Sequence, residues 1–217
     1  MSFSSQLSDL DQISKTEDRV KAYGDLIGKI FSDKDRGKSE KLLEHILDDS
    51  FPTVISQEIM TIFAKSFSSL PNNSVLEIGM MSLDMIKSKL NLLELQDSLI
   101  RKEVAKVLHV KKEYSQSAKC LMEIKLKNTM RSVSPYEQAE TYITIAENWF
   151  YDDDAVNAET YLNMATHVIL DVEDEDLNIR YRYCKAKVFD SKRKFILASQ
   201  AYNELATHEG GKIDESN

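Results

Sequence analysis

The side chains that could do chemistry in this sequence are four histidines, two cysteines and a run of three aspartates. A metal site needs His or Cys residues at close ligand spacing, and an acid–base or nucleophilic site needs groups that converge. None of the histidines has another His or Cys at such spacing, and the two cysteines fall within helical patterns (His45, His109, His167, His208; Cys120, Cys184). No phosphate-binding glycine loop and no nucleophile motif occurs either. We therefore expect a protein that is not an enzyme and has no cofactor, metal or small-molecule substrate.

The acidic run Asp152, Asp153 and Asp154 could be interpreted as a divalent-metal or acid–base site. Neither a calcium-loop pattern nor a histidine accompanies it. Three adjacent carboxylates cannot be buried unpaired, so we expect them in a solvated turn, with Asp154 as the N-cap of the helix that follows.

Two further charged runs lie between segments with helical periodicity, Lys111-Lys112-Glu113 and Lys192, Arg193 and Lys194. In stacked helical hairpins such turns line up at a spacing of about 10 Å. The order basic, acidic, basic predicts that the three turns partly neutralise one another and help to fix the stacking register. The alternative is that the aspartates and the basic run at 192–194 form a docking edge for a partner.

The elements that position these turns are helical hairpins, most clearly over residues 136–169. Apolar residues recur there at three- and four-residue steps on both sides of the acidic run (Tyr136, Ala139, Tyr142, Ile143, Ala146, Trp149, Phe150; Ala158, Tyr161, Leu162, Ala165, Val168, Ile169). Ser134 is placed to cap the first helix, with Pro135 at its first position and Glu137 three residues after the cap.

This hairpin recurs along the chain. Setting Ala105, Ala146 and Ala186 in register aligns the chain with itself without gaps, at steps of 41 (146 − 105) and 40 (186 − 146) residues. The alignment matches the residues that open the second helices and the small and core positions behind them (Tyr114, Ala155, Phe195; Ser117, Ala158, Ala198; Leu121, Leu162, Tyr202; Ile124, Ala165, Leu205). The period predicts an all-α fold, a right-handed, tetratricopeptide-like α-solenoid of hairpins about 40 residues long.

We expect four regions along the chain. Residues 1–35 form a weakly ordered N-terminal helical segment, 36–96 divergent helical repeats, 97–206 the three aligned hairpins and 207–217 a flexible tail. Within the second region, the sequence from Ser74 to Glu77 is typical of a capping box that opens a helix. The acidic link Asp171–Asp176 is predicted to cap a helix that begins near Leu177.

Composition limits the class of partner. The chain has 28 basic and 36 acidic residues, a formal net charge of −8, and 42% hydrophobic residues, as in an ordinary globular protein. An acidic balance argues against nucleic acid as a partner. No apolar run of about 18 residues and no signal-peptide pattern occurs, so we expect no membrane segment and a cytoplasmic or nuclear location.

Two stretches of the sequence resemble a known family. The residues on which the resemblance rests lie in the second and third aligned hairpins (Glu140, Thr141, Tyr142, Ile145, Ala146, Asp152–Asp154, Ala158, Glu159, Tyr161, Asn163, Ala165; Tyr183, Cys184, Ala186, Val188, Asp190, Arg193–Phe195, Ala198, Tyr202–Leu205). They are similar to the helical-repeat region of the fourth subunits of the COP-nine signalosome, which belong to the PCI proteins. The similarity is fainter between Glu94 and Leu126.

The resemblance implies a non-catalytic scaffold subunit of a complex that removes Nedd8 from cullin–RING ubiquitin ligases, with the metalloprotease in another subunit. The implied partners are the other signalosome subunits and cullin–RING ligases. Such subunits continue into a winged-helix PCI module, which this chain, ending at Asn217, lacks, so a fragment and a short natural form are both open. Two alternatives remain, a PCI-type scaffold of the proteasome lid and a free tetratricopeptide-like peptide-binding adaptor.

Overall fold

Helices form all the regular secondary structure in the part of the chain that the computed structural model describes, residues 3–127 and 129–209. The predicted all-α class is therefore confirmed. Residues 210–217 of the predicted tail lie outside the described residues. The eleven α-helices of the described part are α1 (Phe3–Asp11), α2 (Thr16–Asp33), α3 (Arg36–Ile46), α4 (Thr53–Ser66), α5 (Asn72–Ile86), α6 (Glu94–Val110), α7 (Tyr114–Met122), α8 (Pro135–Tyr151), α9 (Ala155–Ile169), α10 (Glu175–Ser191) and α11 (Phe195–Glu209).

The helices are divided between two compact units. The first comprises residues 1–111 and 123–131, and the second comprises 112–122 and 132–217. The first of the three aligned hairpins is thus split, with α6 in one unit and α7 in the other. In each unit helices pack on helices close to them in sequence, as in a helical solenoid.

In the first unit α2 packs on α4, α3 on α5 and α4 on α6. The rings of Phe31, Phe63 and Phe67 meet edge to face in its core, with centroids 5.0, 5.4 and 5.5 Å apart. Burial of an aromatic side chain of this size contributes about 1.5–3 kcal/mol. The three rings therefore anchor α2 against α4 and the turn that follows α4.

Helices α5 and α6 lie close together at Gly79. A Cβ atom at this position would lie 2.5 Å from Val104 Cγ2 and 3.3 Å from Phe67 Cε1. The first distance is shorter than any stable carbon–carbon contact, so the absence of a side chain permits this packing.

A buried polar face on α6 holds the segment 123–131 in the first unit. Arg101 Nε donates to both carboxylate oxygens of Asp97, at 3.0 and 2.9 Å, and Arg101 Nη1 lies 2.7 Å from Glu123 Oε2. The buried Glu94 carboxylate accepts a hydrogen bond from the Met130 backbone N–H at 3.0 Å. Burial raises the pKa of Asp97, although Arg101 opposes the rise.

In the second unit α8 packs on α9, α10 on α11, and α10 on both α8 and α9. Most of the predicted apolar faces are buried (Ala139, Tyr142, Ile143, Ala146, Trp149, Ala158, Leu162, Ala165, Ile169). The core assignments of Tyr136 and Tyr202 are wrong, because these side chains are 45% and 39% exposed. Tyrosine can cover a helix surface with its ring while its hydroxyl stays in water, so helical spacing alone does not place it inside.

Four of the turns between helices share an unusual backbone. Lys34, Lys112, Asp153 and Arg193 have φ between 54° and 63°, the left-handed region that residues other than glycine seldom adopt. The last three recur at steps of 41 (153 − 112) and 40 (193 − 153) residues. In the α8–α9 turn the N–H groups of residues 153 and 154 donate to carbonyl oxygens at the end of α8, at 3.1 and 2.9 Å, which satisfies acceptors that the helix leaves open.

The helix caps confirm some predictions and correct another. The Ser134 side chain accepts from the Glu137 N–H at 3.1 Å and the Asp174 carboxylate accepts from the Leu177 N–H at 2.7 Å. The predicted capping box at Ser74 is wrong, since α5 begins at Asn72, directly after Pro71. Proline has no N–H to offer but its fixed φ suits the residue that precedes a helix, so the helix begins three residues earlier than the Ser-x-x-Glu pattern indicates.

Candidate interaction surface

Several of the ionisable side chains that the structure describes form structural contacts. Among the side chains that the structure describes, in residues 3–127 and 129–206, no group of three or more His, Cys, Asp or Glu could hold a metal ion. His45 Nε2 lies 2.8 Å from Asp11 Oδ2, and the same carboxylate accepts from the Tyr23 hydroxyl at 2.9 Å, which joins α1 to α2 and α3. Burial raises the pKa of the Cys184 thiol to about 12, so it is protonated at neutral pH. No helix in this part of the chain has the length and hydropathy needed to cross a bilayer.

The predicted acidic turn lies between α8 and α9. Asp152 and Asp153 are exposed. Asp154 Oδ1 accepts from the Asn157 N–H at 2.9 Å and Asp154 Oδ2 from Asn157 Nδ2 at 2.7 Å, which confirms it as the N-cap of α9. The hydrogen bond from the Asn157 backbone lowers the pKa of Asp154, so the cap stays ionised at neutral pH.

The basic turn between α10 and α11 pairs with a residue that the sequence analysis did not select. Lys192 Nζ contacts Glu159 Oε2, and Lys194 Nζ lies 2.7 Å from Glu159 Oε1. No ion pair joins the aspartate turn to this basic turn in the described structure, so their partial neutralisation at longer range stays a prediction. Glu159 lies one helical turn inside α9 and supplies the carboxylate instead.

Arg193, the middle residue of the basic turn, and the turn at residues 111–113 form no such contact in the described structure. Arg193 is exposed and forms no ion pair in the described part of the chain. The turn Lys111-Lys112-Glu113 lies where the first unit ends and the second begins. Its alignment with the other two turns stays a prediction.

Exposed tyrosines surround Lys187 on the second unit. Lys187 Nζ lies 4.2 Å from the Tyr183 ring centroid and 5.8 Å from that of Phe150. The proximity of Tyr183 raises the pKa of Lys187, and Tyr151 and Tyr202 contribute in the same direction when their phenols ionise. We call Lys187, Phe150, Tyr151, Tyr183 and Tyr202 the tyrosine–lysine surface.

This surface has the composition of a protein interface. Tyr151 and Tyr183 are 48% and 49% exposed. The ring of Tyr151 is also 5.2 Å from that of Tyr114 on α7, so aromatic area extends over α7, α8, α10 and α11. Tyrosine and cationic side chains are enriched where proteins bind one another, and large exposed apolar area is uncommon elsewhere.

Sequence reasoning missed this surface because it assigned aromatic residues to the core by their spacing. The helical spacing predicts that Phe150 and Tyr202 both face inward, and it gives no indication of a role for Lys187. A detectable signal is the excess of tyrosine over other aromatic residues in α8 and α10, since tyrosine suits a surface that is partly wet.

Comparison with known proteins agrees with this picture of a helical-repeat chain. The family model described as "PSMD12/CSN4, N-terminal" matches residues 5–214, nearly the whole sequence. The chain belongs to the PSMD12/CSN4 N-terminal family. The resemblance inferred from the sequence to the fourth signalosome subunits is thereby confirmed.

Curated relatives of this PSMD12/CSN4 family chain are COP9 signalosome complex subunits 4. The Arabidopsis thaliana protein is 29% identical over 209 residues, which cover 96% of this chain and 53% of that protein. The Dictyostelium discoideum protein is 29% identical over 200 residues, covering 92% and 51%. The Drosophila melanogaster protein is 28% identical over 206 residues, covering 93% and 51%. The chain thus spans about half the length of the relatives it matches.

Proposed function

We propose that this chain is a non-catalytic helical-repeat scaffold of the COP9 signalosome that supports removal of Nedd8 from cullin–RING ubiquitin ligases. The observation that carries the proposal is the family match over residues 5–214, together with relatives named as subunit 4 of that complex. The helical units would contact neighbouring subunits and the cullin–RING substrate, in the cytoplasm and the nucleus. The catalytic chemistry would belong to another subunit.

The charged turns offer candidate contacts for this role. Asp152, Asp153 and Arg193 are exposed and have no ion pair in the described residues, so they are available to a partner. Asp154 and the two lysines of the basic turn are already engaged within the unit. We therefore propose the first three, rather than all six predicted residues, as partner contacts at this edge.

The test is a pull-down of the tagged 217-residue chain from its native cells, with co-purifying proteins identified by mass spectrometry and deneddylation of a cullin measured on the eluate. We expect other signalosome subunits and cullins in the eluate. A variant with Asp152→Lys and Asp153→Lys should recover fewer of them while keeping its helical circular dichroism. Recovery of neither class of protein by the unmodified chain would refute the proposal.

A scaffold role in the proteasome lid is the second candidate. It is favoured by one observation, that the matching family model covers PSMD12 as well as CSN4. The same eluate decides between the two, because lid subunits in place of signalosome subunits would establish the second candidate.

A further inference from the structure

Helix α10 packs on α8 and α9, and its contacts show which side of the α8–α9 hairpin receives the hairpin that follows. On α8, Glu147 Oε2 lies 2.6 Å from Arg180 Nη2. The ring centroid of Phe150 lies 5.8 Å from Lys187 Nζ. Ile143 lies one helical turn before Glu147 on the same face and is fully buried. These three positions of α8 therefore define the side that α10 covers.

The same side of the hairpin continues on α9. The Glu159 carboxylate contacts the two lysines of the α10–α11 turn, and Thr166 Oγ1 lies 2.6 Å from the Tyr181 hydroxyl. Leu162 lies between Glu159 and Thr166 on one helix face and is only 3% exposed. The packing of one hairpin on the next thus buries an aliphatic residue on each helix.

The α10–α11 hairpin has a corresponding side, because it repeats α8–α9 at a step of 40 residues (193 − 153). Tyr183 and Tyr202 correspond to Ile143 and Leu162, but they are 49% and 39% exposed. We call this side the end face and define it by the residues that correspond to the six contact positions (Tyr183, Lys187, Asp190, Ser199, Tyr202, Ala206). The end face is therefore a helix-stacking side whose central residues are open to solvent in the described structure.

We propose that the end face binds a second copy of this chain, with the two α10 helices antiparallel about a two-fold axis and Lys187 of each copy paired with Asp190 of the other. Tyr183 and Tyr202 of the two copies cover one another beside these pairs. The inference goes beyond the proposed function, since it concerns the contact of this chain with itself.

The charges of the end face make it complementary to itself. Lys187 and Asp190 lie one helical turn apart on α10, and neither forms an ion pair within the described residues. In a two-fold interface residue i of one copy meets residue j of the other and j meets i, so one lysine and one aspartate form two ion pairs. Parallel α10 helices in register would place the two lysines together, which disfavours that orientation.

Two properties of the chain limit the strength of this contact. The tyrosine hydroxyls keep the face partly wet, and the net charge of −8 on each copy opposes association. We therefore expect a reversible dimer that forms as the protein concentration rises. Salt screens the long-range repulsion between the two copies, so dimerisation should not require low ionic strength.

The experiment is sedimentation equilibrium of the purified 217-residue chain over a range of concentrations. We expect the mass to rise from 24.8 kDa towards twice that value and no further, because a two-fold contact closes on itself. Lys187→Glu and Asp190→Lys each place like charges in both contacts, and each should weaken the Kd of the dimer by roughly tenfold or more.

A mixture of the two variants tests the pairing directly. In a mixed dimer the new carboxylate of Lys187→Glu faces the new ammonium of Asp190→Lys, and the two unchanged residues face each other. We therefore expect the mixed dimer to form with an affinity close to that of the unmodified chain, although each variant alone is largely monomeric. Native mass spectrometry of the mixture, with one variant isotopically labelled, distinguishes the mixed dimer from the two homodimers.

Lys185→Glu is the matched control, with the same charge change on the same helix. Lys185 does not belong to the end face: its Nζ lies 5.6 Å from the ring centroid of Tyr181 and 5.8 Å from that of Phe189. This variant should dimerise like the unmodified chain. Tyr202→Ala removes exposed ring area from the end face and should weaken the dimer by roughly fivefold or more. Circular dichroism checks that every variant is folded.

Four results would overturn the inference: a monomer at every concentration, a mass that grows beyond the dimer, equal losses for Lys187→Glu and Lys185→Glu, or no mixed dimer. A monomer would mean that the end face is free or is covered by a different protein. These measurements use only the purified chain. Failure of the inference is therefore distinct from failure of the proposed function, which is decided by whether the pull-down recovers signalosome subunits.

Discussion

The Glu159 carboxylate contacts both lysines of the α10–α11 turn. Replacing Glu159 therefore measures how much these two contacts contribute to the free energy of unfolding. All three side chains are at least partly exposed, and pairs of this kind contribute about 0.2–1 kcal/mol each. For Glu159→Gln we expect a loss of about 1 kcal/mol in the free energy of unfolding, or about 2–4 °C in melting temperature.

The same contact makes a prediction about pH. Hydrogen bonds from Lys192 and then Lys194 lower the pKa of Glu159 from its usual 4.5. Because the folded pKa lies below the unfolded one, the stabilisation is present in full above pH 4.5 and is lost as the pH falls through the folded pKa. The difference between the unmodified chain and Glu159→Gln should therefore be largest near neutral pH and disappear in acid. High salt should also reduce it.

The assay is urea unfolding followed by circular dichroism, at neutral and acidic pH and at low and high salt. Asp152→Asn is the matched control, because it removes the same charge from the neighbouring turn, where no ion pair is formed. We expect it to leave the free energy of unfolding unchanged within a few tenths of a kcal/mol. Equal losses for the two variants, or a loss for Glu159→Gln that is independent of pH, would refute this account of the contact.

Three further stability predictions follow from contacts in both units, each measured by urea unfolding. Gly79→Ala places a methyl group against α6 and should cost about 1–3 kcal/mol, whereas Gly28→Ala has no atom within 4 Å of the new methyl and should stabilise α2 by about 0.5–1 kcal/mol. Similar effects of the two would contradict the close approach of α5 and α6. Arg101→Met leaves the buried Asp97 carboxylate without its nearest cation and should cost about 3–5 kcal/mol; a cost below about 1 kcal/mol would mean that the pair is not buried in solution. Asp154→Ala removes the N-cap of α9 and should cost about 1 kcal/mol, so no change would show that the cap is replaced by solvent.

The caps and turns could be predicted from sequence because they depend on residues close together in the chain. The Ser134 and Asp154 caps each involve a residue three positions further on. Where two helix-start signals lie close together, the sequence does not show which one is used. At the start of α5, Pro71 precedes the helix and Ser74 lies inside it.

The side-chain pairings could not be predicted in the same way. Glu159 and Lys192 are 33 residues apart, and their contact depends on how α9 and α10 are rotated against each other. The repeat alignment placed whole turns opposite one another but did not determine which carboxylate reaches which ammonium. The buried Asp97 and Arg101 were missed for a related reason, since charged residues are assigned to the surface until a partner is known.

The division into units also determines how this protein can be cut. Its backbone passes from one unit to the other three times, after residues 111, 122 and 131. A single cut therefore cannot separate the two units completely: a cut after residue 131 leaves residues 112–122 of the second unit with the first, and a cut after residue 111 leaves residues 123–131 of the first unit with the second. A piece ending at residue 111 would lose the segment that presents the Met130 N–H to the buried Glu94 carboxylate, leaving this acceptor without that donor. Any piece that keeps one unit complete by a single cut therefore carries a segment of the other unit with it.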